Sequence, residues 1–287
     1  MEETGNVKCL LCCGLVCHGD KRLSSILALP SNIESRVFVC PDCGFMFLYP
    51  YIKDADLQIL YQQRYYEDSK MSPYSSELHV KARSEKFVRS LELMFRHINN
   101  AKTILDIGAS DGLFLSFAEK MGLKVRGVEF SKSMSQKAYE TYGFVFDSIT
   151  LEDLSYSDHF DIVHMNHVLE HFPNPRETAA SIYELLNPGG IVYIEVPFQF
   201  NMASRIKSYL LPIQSSFGIG SIHHPVFFSP KTLNRLFNEN DFVCCHMRIF
   251  DPKRKHIGMS LLKSVMWSFL SHFGQGIFIE AIFKKHY

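Results

Sequence analysis

Residues 102–115 read KTILDIGASDGLFL and contain the most informative turn of the chain. The run 102–107 is rich in apolar residues, and Gly108 and Gly112 bracket a turn with Ser110 at its middle position. Small residues in such a turn let the main chain approach a ligand closely, and the next helix presents free N–H groups at its N-terminus. The stretch therefore predicts a strand, a ligand-binding turn and a helix.

The same alternation of strands and helices continues beyond this turn. The further predicted strands are LKVRGVEF (123–130), GFVFD (143–147), FDIVHM (160–165), GGIVYIEV (189–196), FVCCHMRIF (242–250) and the closing GQGIFIEAIFKK (274–285). The later predicted helices are ETAASIYELL (177–186) and KTLNRLFNEN (231–240). Parallel strands need crossover connections, which are usually helices. The pattern therefore predicts an α/β fold with a doubly wound, Rossmann-like parallel sheet.

A carboxylate marks the end of the second strand. Glu129 follows Asp106 by 23 residues, a place from which a carboxylate can accept both ribose hydroxyls of an adenosine. The turn also spells G-x-S-x-G, the nucleophile elbow of hydrolases, but that fold has several regular strands ahead of the turn. A nicotinamide-binding domain normally has three glycines in G-x-G-x-x-G, which this turn lacks. Both alternatives are disfavoured.

Cysteines are concentrated at the front of the chain. Cys9 and Cys12 form one C-x-x-C pair, Cys40 and Cys43 form another, and a glycine follows each pair closely. Two such pairs complete a four-thiolate zinc site, which has no open position and is therefore structural. Cys13, Cys17 and His18 are spare ligands. We predict a zinc-binding module over residues 1–50, a helical connector over 51–98 and the α/β domain over 99–287.

Charge and hydropathy limit the partners and the compartment. Thirty basic residues balance thirty acidic ones, which gives no support for a nucleic-acid binder. The N-terminus lacks the pattern of a secretory signal, and the apolar run at 256–274 is interrupted by Lys263 and His272. We expect a cytoplasmic chain without a membrane span. The sequence does not predict an oligomeric state.

Four segments resemble the class I S-adenosylmethionine-dependent methyltransferases. The segments are LDIGASDG (105–112), VEFSKSM (128–134), FDIVHMNHVLEHFPNP (160–175) and LLNPGGIVYIEVP (185–197). The front of the chain, with its C-x-x-C pairs and the later HHPVFFSP (223–230), is similar to zinc-module sugar C- and O-methyltransferases of polysaccharide and antibiotic pathways. The turn departs from that family's D-x-G-x-G-x-G at Ser110, and His223 replaces its usual glutamate.

The resemblance implies a role for each matched position. Asp106, Gly108, Ser110 and Gly112 would hold the methionine end of S-adenosylmethionine, and Glu129 would hold its ribose. Leu151 and Glu152 would flank the adenine, and the backbone near Asn166 would flank the sulfonium.

Methyl transfer to a hydroxyl needs a positioned acceptor and loss of its proton. The candidate catalytic residues are His224, His171 and Tyr66, with His224 the preferred base and Tyr65 a neighbouring alternative to Tyr66. Residues 198–222 form a predicted acceptor lid, in which Arg205 and Lys207 either meet phosphates or face solvent. His167, Glu170 and His171 form H-x-x-E-H, either a metal cluster or a helix cap packed near the cofactor.

These observations predict an S-adenosylmethionine-dependent methyltransferase that O- or C-methylates a small polar acceptor, such as a sugar or nucleotide sugar. One alternative is a catalytically silent cofactor-binding protein of the same fold. A methyltransferase acting on RNA, or on a lipid or quinone, is less favoured.

Overall fold

The computed structural model describes residues 7–16, 36–49, 77–147, 159–198, 224–251 and 276–286. The N-terminal strands are β1 (Val7–Lys8), β2 (Leu15–Val16), β3 (Arg36–Val39) and β4 (Met46–Tyr49). The helices are α1 (Glu77–Phe95), α2 (Leu113–Lys120), α3 (Lys132–Tyr142), α4 (Pro175–Leu185) and α5 (Pro230–Asn238). The later strands are β5 (Thr103–Ile107), β6 (Lys124–Val128), β7 (Phe160–Asn166), β8 (Leu186–Pro197), β9 (Val226–Phe227), β10 (Phe242–Phe250) and β11 (Phe278–Lys285).

Six strands form the central sheet in the order β10-β11-β8-β7-β5-β6. Strands β6, β5, β7 and β8 pair in parallel, as predicted, and confirm the Rossmann-like α/β class. The closing strand β11 runs antiparallel to both of its neighbours, so the sheet is mostly rather than wholly parallel. Alternating side chains predict that a segment is a strand but carry no information on its direction.

Helices cover both faces of the sheet, which the doubly wound prediction requires. On one face, Leu91 of α1 and Leu115 of α2 pack with Ile104 and Ile191. On the other face, the buried side chains of α4 and α5 pack against inward residues of β7 and β8. All four named side chains of the first face are 0% exposed, so they form a true core. The ends of β5, β6 and β7 therefore meet at one edge between these two layers.

The predicted strand at 143–147 is the main exception. Only Asp147 pairs there, through an isolated parallel bridge to Val128 of β6. Two backbone hydrogen bonds support it, from Glu129 N–H to the Asp147 carbonyl and from Asp147 N–H to the Gly127 carbonyl, each 3.1 Å long. Phe144 and Phe146 pack partly buried against the α2 layer instead of extending the ladder.

The N-terminal region joins the main domain through a small second sheet. Strand β4 pairs with β3 on one side and with β9 on the other, both antiparallel. The Leu48 N–H donates to the Pro225 carbonyl at 2.8 Å, just ahead of β9. The residues that follow the second C-x-x-C pair are thus hydrogen-bonded to the segment just after residue 224.

Within the described ranges, no helix combines the length and the apolar character that crossing a membrane requires. The interrupted apolar run at 256–274 lies outside the described residues.

Candidate functional site

The glycine-rich turn has the backbone that the sequence predicts. Gly108 has φ of +79°, and a Cβ there would overlap Val168 Cγ2. Gly112 has φ of +76°, and a Cβ there would lie 3.1 Å from the Ala138 Cβ. Both positions therefore need glycine, for conformation and for space. Ser110 adopts φ of +52° between them, a left-handed conformation that a non-glycine residue rarely takes.

Glu129 connects the turn to the end of β6. Its Oε2 accepts a 2.8 Å hydrogen bond from the Ser110 N–H, and its Oε1 accepts one of 2.7 Å from the Ser131 N–H. Each carboxylate oxygen keeps a second lone pair that can accept a ligand hydroxyl. Burial raises the pKa of the Glu129 carboxyl, against the opposing effect of these two bonds. The turn and the acidic residue thus form one preorganised cradle.

Asp106 is more enclosed than a ligand-facing residue would be. It is 3% exposed, and its Oδ1 lies 2.7 Å from Nδ1 of His164, its register partner in β7. The His164 ring in turn stacks on Phe114 with centroids 3.7 Å apart. Burial raises the pKa of Asp106, and His164 opposes that rise. Asp106 therefore has an internal partner, and its contact with a cofactor stays a prediction.

Helix α1 supplies two cations that the sequence interpretation missed. Arg83 donates from both guanidinium nitrogens to Asp111 in the turn, at 2.8 and 2.7 Å. Lys86 donates to Asn166 at 2.9 Å and to Glu195 at 2.7 Å. Although burial opposes it, His167 and Lys86 hold the pKa of Glu195 down to about 2. The sequence signal for these residues is their i, i+3 spacing, which places both cations on one helix face. The sequence does not identify the acidic partners of either cation.

We expect Arg83→Ala to lower the free energy of unfolding by about 1–3 kcal/mol, because Asp111 loses a charged bidentate partner. The cofactor cradle should loosen too, since Asp111 lies between Ser110 and Gly112. Urea denaturation would measure the change, with the exposed Lys81→Ala on the same helix as the control. Equal stability of the two variants would contradict this role for Arg83.

The proposed acceptor side brings three side chains together. One ligand atom from each of Glu170, His171 and His224 lies within 4.8 Å of the others. The His171 and His224 rings meet edge to face with centroids 4.7 Å apart, and His224 Nε2 is 3.9 Å from Glu170 Oε1. His171 and His224 are 53 residues apart in the chain, so the structure joins two residues that the sequence could only nominate separately.

The segment between β7 and α4 presents this group. His167 takes a left-handed φ of +58°, and Leu169–His171 form a short 3-10 turn. His167 Nε2 lies 3.1 Å from Glu195 Oε1, and its Nδ1 lies 3.5 Å from Glu170 Oε1. Other predicted site and lid residues lie outside the described residues, namely Tyr65, Tyr66, Leu151, Glu152, Arg205, Lys207 and His223.

The four predicted cysteine ligands converge. Sγ of Cys9 is 3.6 Å from Sγ of Cys43, and Sγ of Cys12 is 3.5 Å from Sγ of Cys40. A tetrahedral ion with Zn–S bonds of about 2.3 Å would space its sulfurs about 3.8 Å apart, so the four thiols fit zinc. Burial raises the pKa of Cys9 to about 11, a cost that a bound cation would offset.

The two cysteine turns have matching backbones. The N–H of Cys13 donates to the Cys9 carbonyl, and the N–H of Gly44 donates to the Cys40 carbonyl. Gly44 has φ of +76°, and the equivalent residue of the first turn is Cys13, with φ of +61°. The residue that needs left-handed freedom there is thus Cys13 and not Gly14, which does not have a positive φ.

Comparison with known proteins agrees with this fold. A family model described as a methyltransferase domain matches residues 79–246, more than half of the chain. The ubiquinone biosynthesis O-methyltransferase of Thiobacillus denitrificans is 27% identical over 151 residues, which cover 48% of this chain. The chain spans 63% of the length of that relative.

Two solved structures are similar in fold. A SAM dependent methyltransferase from Archaeoglobus fulgidus has a TM-score of 0.51 at 20% identity, covering 72% of this chain and 98% of its own. The plantazolicin methyltransferase BpumL in complex with SAH has a TM-score of 0.51 at 17% identity, covering 82% and 91%. By its matched domain the chain belongs to the methyltransferase-domain family, and its fold is that of the class I S-adenosylmethionine-dependent methyltransferases.

Proposed function

We propose that the chain transfers the methyl group of S-adenosylmethionine to a hydroxyl of a small polar acceptor. The observation that carries this is the cradle in which Glu129 accepts the Ser110 N–H at 2.8 Å, at the end of adjacent parallel strands. A left-handed glycine turn beside an acidic residue suits an adenosine ligand. The SAH bound to the similar BpumL structure supports the same cofactor class.

The residues of the cradle have separate tasks in this proposal. Gly108 and Gly112 have no side chains, so the cofactor can approach the main chain closely. Glu129 accepts hydrogen bonds from the ribose hydroxyls. The N-terminus of α2 follows Gly112, which supplies no side-chain cap, so the first turn of the helix can present N–H groups to a ligand. S-adenosylmethionine supplies a methyl carbon already activated by a sulfonium, so the protein has only to align the acceptor oxygen and promote loss of its proton.

His224 is the residue proposed to promote that proton loss, with His171 beside it. Gly108 of the cradle packs against Val168, two residues before Glu170. This contact brings the 167–171 segment, and with it the two histidines, to the cofactor turn. Histidine suits the task because its ordinary pKa lies near neutrality.

The acceptor is proposed to be a sugar or a nucleotide sugar. The support is the resemblance of the C-x-x-C region and of HHPVFFSP to sugar methyltransferases. A second candidate is O-methylation of a quinone precursor, supported by the names of the relatives that are 24–27% identical to this chain. Incubation with labelled S-adenosylmethionine, in parallel with a nucleotide-sugar pool and with a catechol, separates the two by which product carries the label. Label in neither pool would favour the silent cofactor-binding alternative.

We expect Glu129→Ala to weaken S-adenosylmethionine binding by about 1–3 kcal/mol, the usual effect of losing hydrogen bonds to a charged group. Isothermal titration calorimetry measures this directly. Glu119→Ala, an exposed change on α2, is the matched control and should bind as the wild type does. Absence of binding by the wild type, or equal affinity of the Glu129 variant, would contradict the proposed cofactor site.

Zinc is proposed as the occupant of the four-cysteine cluster, with a structural role. Cys9, Cys12, Cys40 and Cys43 would fill all four positions of a tetrahedral ion and leave none for substrate. In this proposal residues 1–50 are a zinc-binding module, and residues 51–98 connect it to the methyltransferase domain of residues 99–287.

A further inference from the structure

Glu170 is a buried carboxylate in the short 3-10 turn Leu169–His171 between β7 and α4. It is 1% exposed, and neither of its side-chain oxygens has a hydrogen-bond partner among the described residues. A buried carboxylate in this state is strongly unfavourable unless cations or donors compensate it. The groups around Glu170 therefore indicate which ligand would compensate its buried charge.

Imidazoles surround this carboxylate. His224 Nε2 lies 3.9 Å and His167 Nδ1 lies 3.5 Å from Glu170 Oε1, both beyond ordinary hydrogen-bond geometry. The ligand atoms of Glu170, His171 and His224 converge within 4.8 Å of one another. In a tetrahedral site with bonds of about 2.1 Å, two ligand atoms lie about 3.4 Å apart, so the ligand separations would have to shorten by up to about 1.4 Å when an ion binds.

We propose that Glu170, His171 and His224 form a binding site for a divalent transition-metal ion. Two imidazoles and one carboxylate are a donor set that suits Zn²⁺, Fe²⁺ or Co²⁺, whereas Mg²⁺ and Ca²⁺ prefer oxygen ligands alone. The set also differs from the four thiolates of the cysteine cluster in chemistry. Three protein ligands leave coordination positions open, as catalytic metal sites do.

The site lies where an ion would act on the acceptor. Its segment contacts the cofactor turn through Val168 and Gly108, so an ion held there would lie close to the predicted cofactor site. A hydroxyl bound there loses its proton to water more readily, because the cation stabilises the oxyanion. This role rests on the proposed function, and it means that His224 acts on the proton through the ion. Binding of the ion itself does not depend on that function.

Cobalt is the probe for this site, because it replaces zinc and iron and gives visible absorption. The full chain, loaded with zinc at its cysteines and freed of weakly bound metal, would be titrated with Co²⁺ by calorimetry and absorption spectroscopy. We expect about one additional Co²⁺ per chain, without thiolate-to-cobalt absorption. Glu170→Gln and His224→Ala should each weaken this binding at least about tenfold, whereas the exposed His159→Ala should not.

Three results would overturn the cation site: no Co²⁺ uptake by the wild type, uptake with thiolate absorption, or wild-type affinity in Glu170→Gln. If Glu170→Gln does not fold, wild-type cobalt affinity in His224→Ala would overturn the site instead. The His224 side chain is 12% exposed, so its replacement should destabilise the fold less. S-adenosylmethionine calorimetry on the same samples separates the two proposals. Intact cofactor binding without cobalt binding overturns the ion alone, and the reverse overturns the proposed function alone.

Discussion

Replacing Cys40 by serine is expected to abolish zinc binding and to unfold the N-terminal module. The wild type should contain about one zinc per chain, because two pairs of sulfurs already lie 3.6 and 3.5 Å apart and all four lie within 4.8 Å of one another. The apparent free energy of binding structural zinc is about 10–16 kcal/mol in small zinc peptides, as large as the whole stability of many domains. Metal analysis by mass spectrometry and thermal unfolding would measure the loss.

The effect of this change should reach the acceptor side without reaching the cofactor. Strand β4 pairs with β9, and the Leu48 N–H donates a hydrogen bond to the carbonyl of Pro225, the residue after His224. Cys40→Ser should therefore lower turnover by displacing His224, while the cradle around Glu129 still binds S-adenosylmethionine.

Cys13→Ser is the matched control for Cys40→Ser, since Cys13 is an exposed cysteine outside the cluster. It should keep both zinc and turnover. A wild type with less than about half an equivalent of zinc, when purified without chelator, would exclude the proposed four-thiolate site.

The parts of the fold that could be predicted are those set by local sequence. The turn at 108–112 needs two left-handed glycines, and the flanking runs have the periods of a strand and a helix, so the pattern specifies the local structure. The C-x-x-C turns are similarly local, since each places two sulfurs within four residues. The direction of β11 and the loss of pairing at 143–147 depend on neighbouring strands, which no local pattern reports.

The parts of the site that escaped prediction depend on contacts between distant residues. In the sequence, Arg83 and Lys86 are indistinguishable from surface cations of a helix. Only the packing of α1 against the sheet brings them to Asp111 and Glu195. The motif places Asp106 among the cofactor-binding residues. Its pairing with His164 follows from the β5–β7 register, which the motif does not contain.

The position of His224 makes its replacement the most informative test of catalysis. The residue precedes β9 and faces Glu170 and His171, whereas the cofactor cradle is built from β5, β6 and the turn between β5 and α2. A change at residue 224 can therefore separate acceptor chemistry from cofactor binding. His159→Ala, an exposed histidine change elsewhere, serves as the control.

His224→Ala is expected to lower turnover by about 10²–10⁴, the usual contribution of a positioned group that promotes proton transfer. This holds whether the imidazole takes the proton itself or acts through a bound cation, because alanine removes both possibilities. S-adenosylmethionine affinity should stay within a few-fold, since Glu129 and the glycine turn are untouched. Steady-state methyl-transfer rates and cofactor calorimetry on one preparation measure the two quantities together. Near wild-type turnover of the His224 variant on the acceptor would show that another residue promotes the proton loss, with His171 and Tyr66 the next candidates.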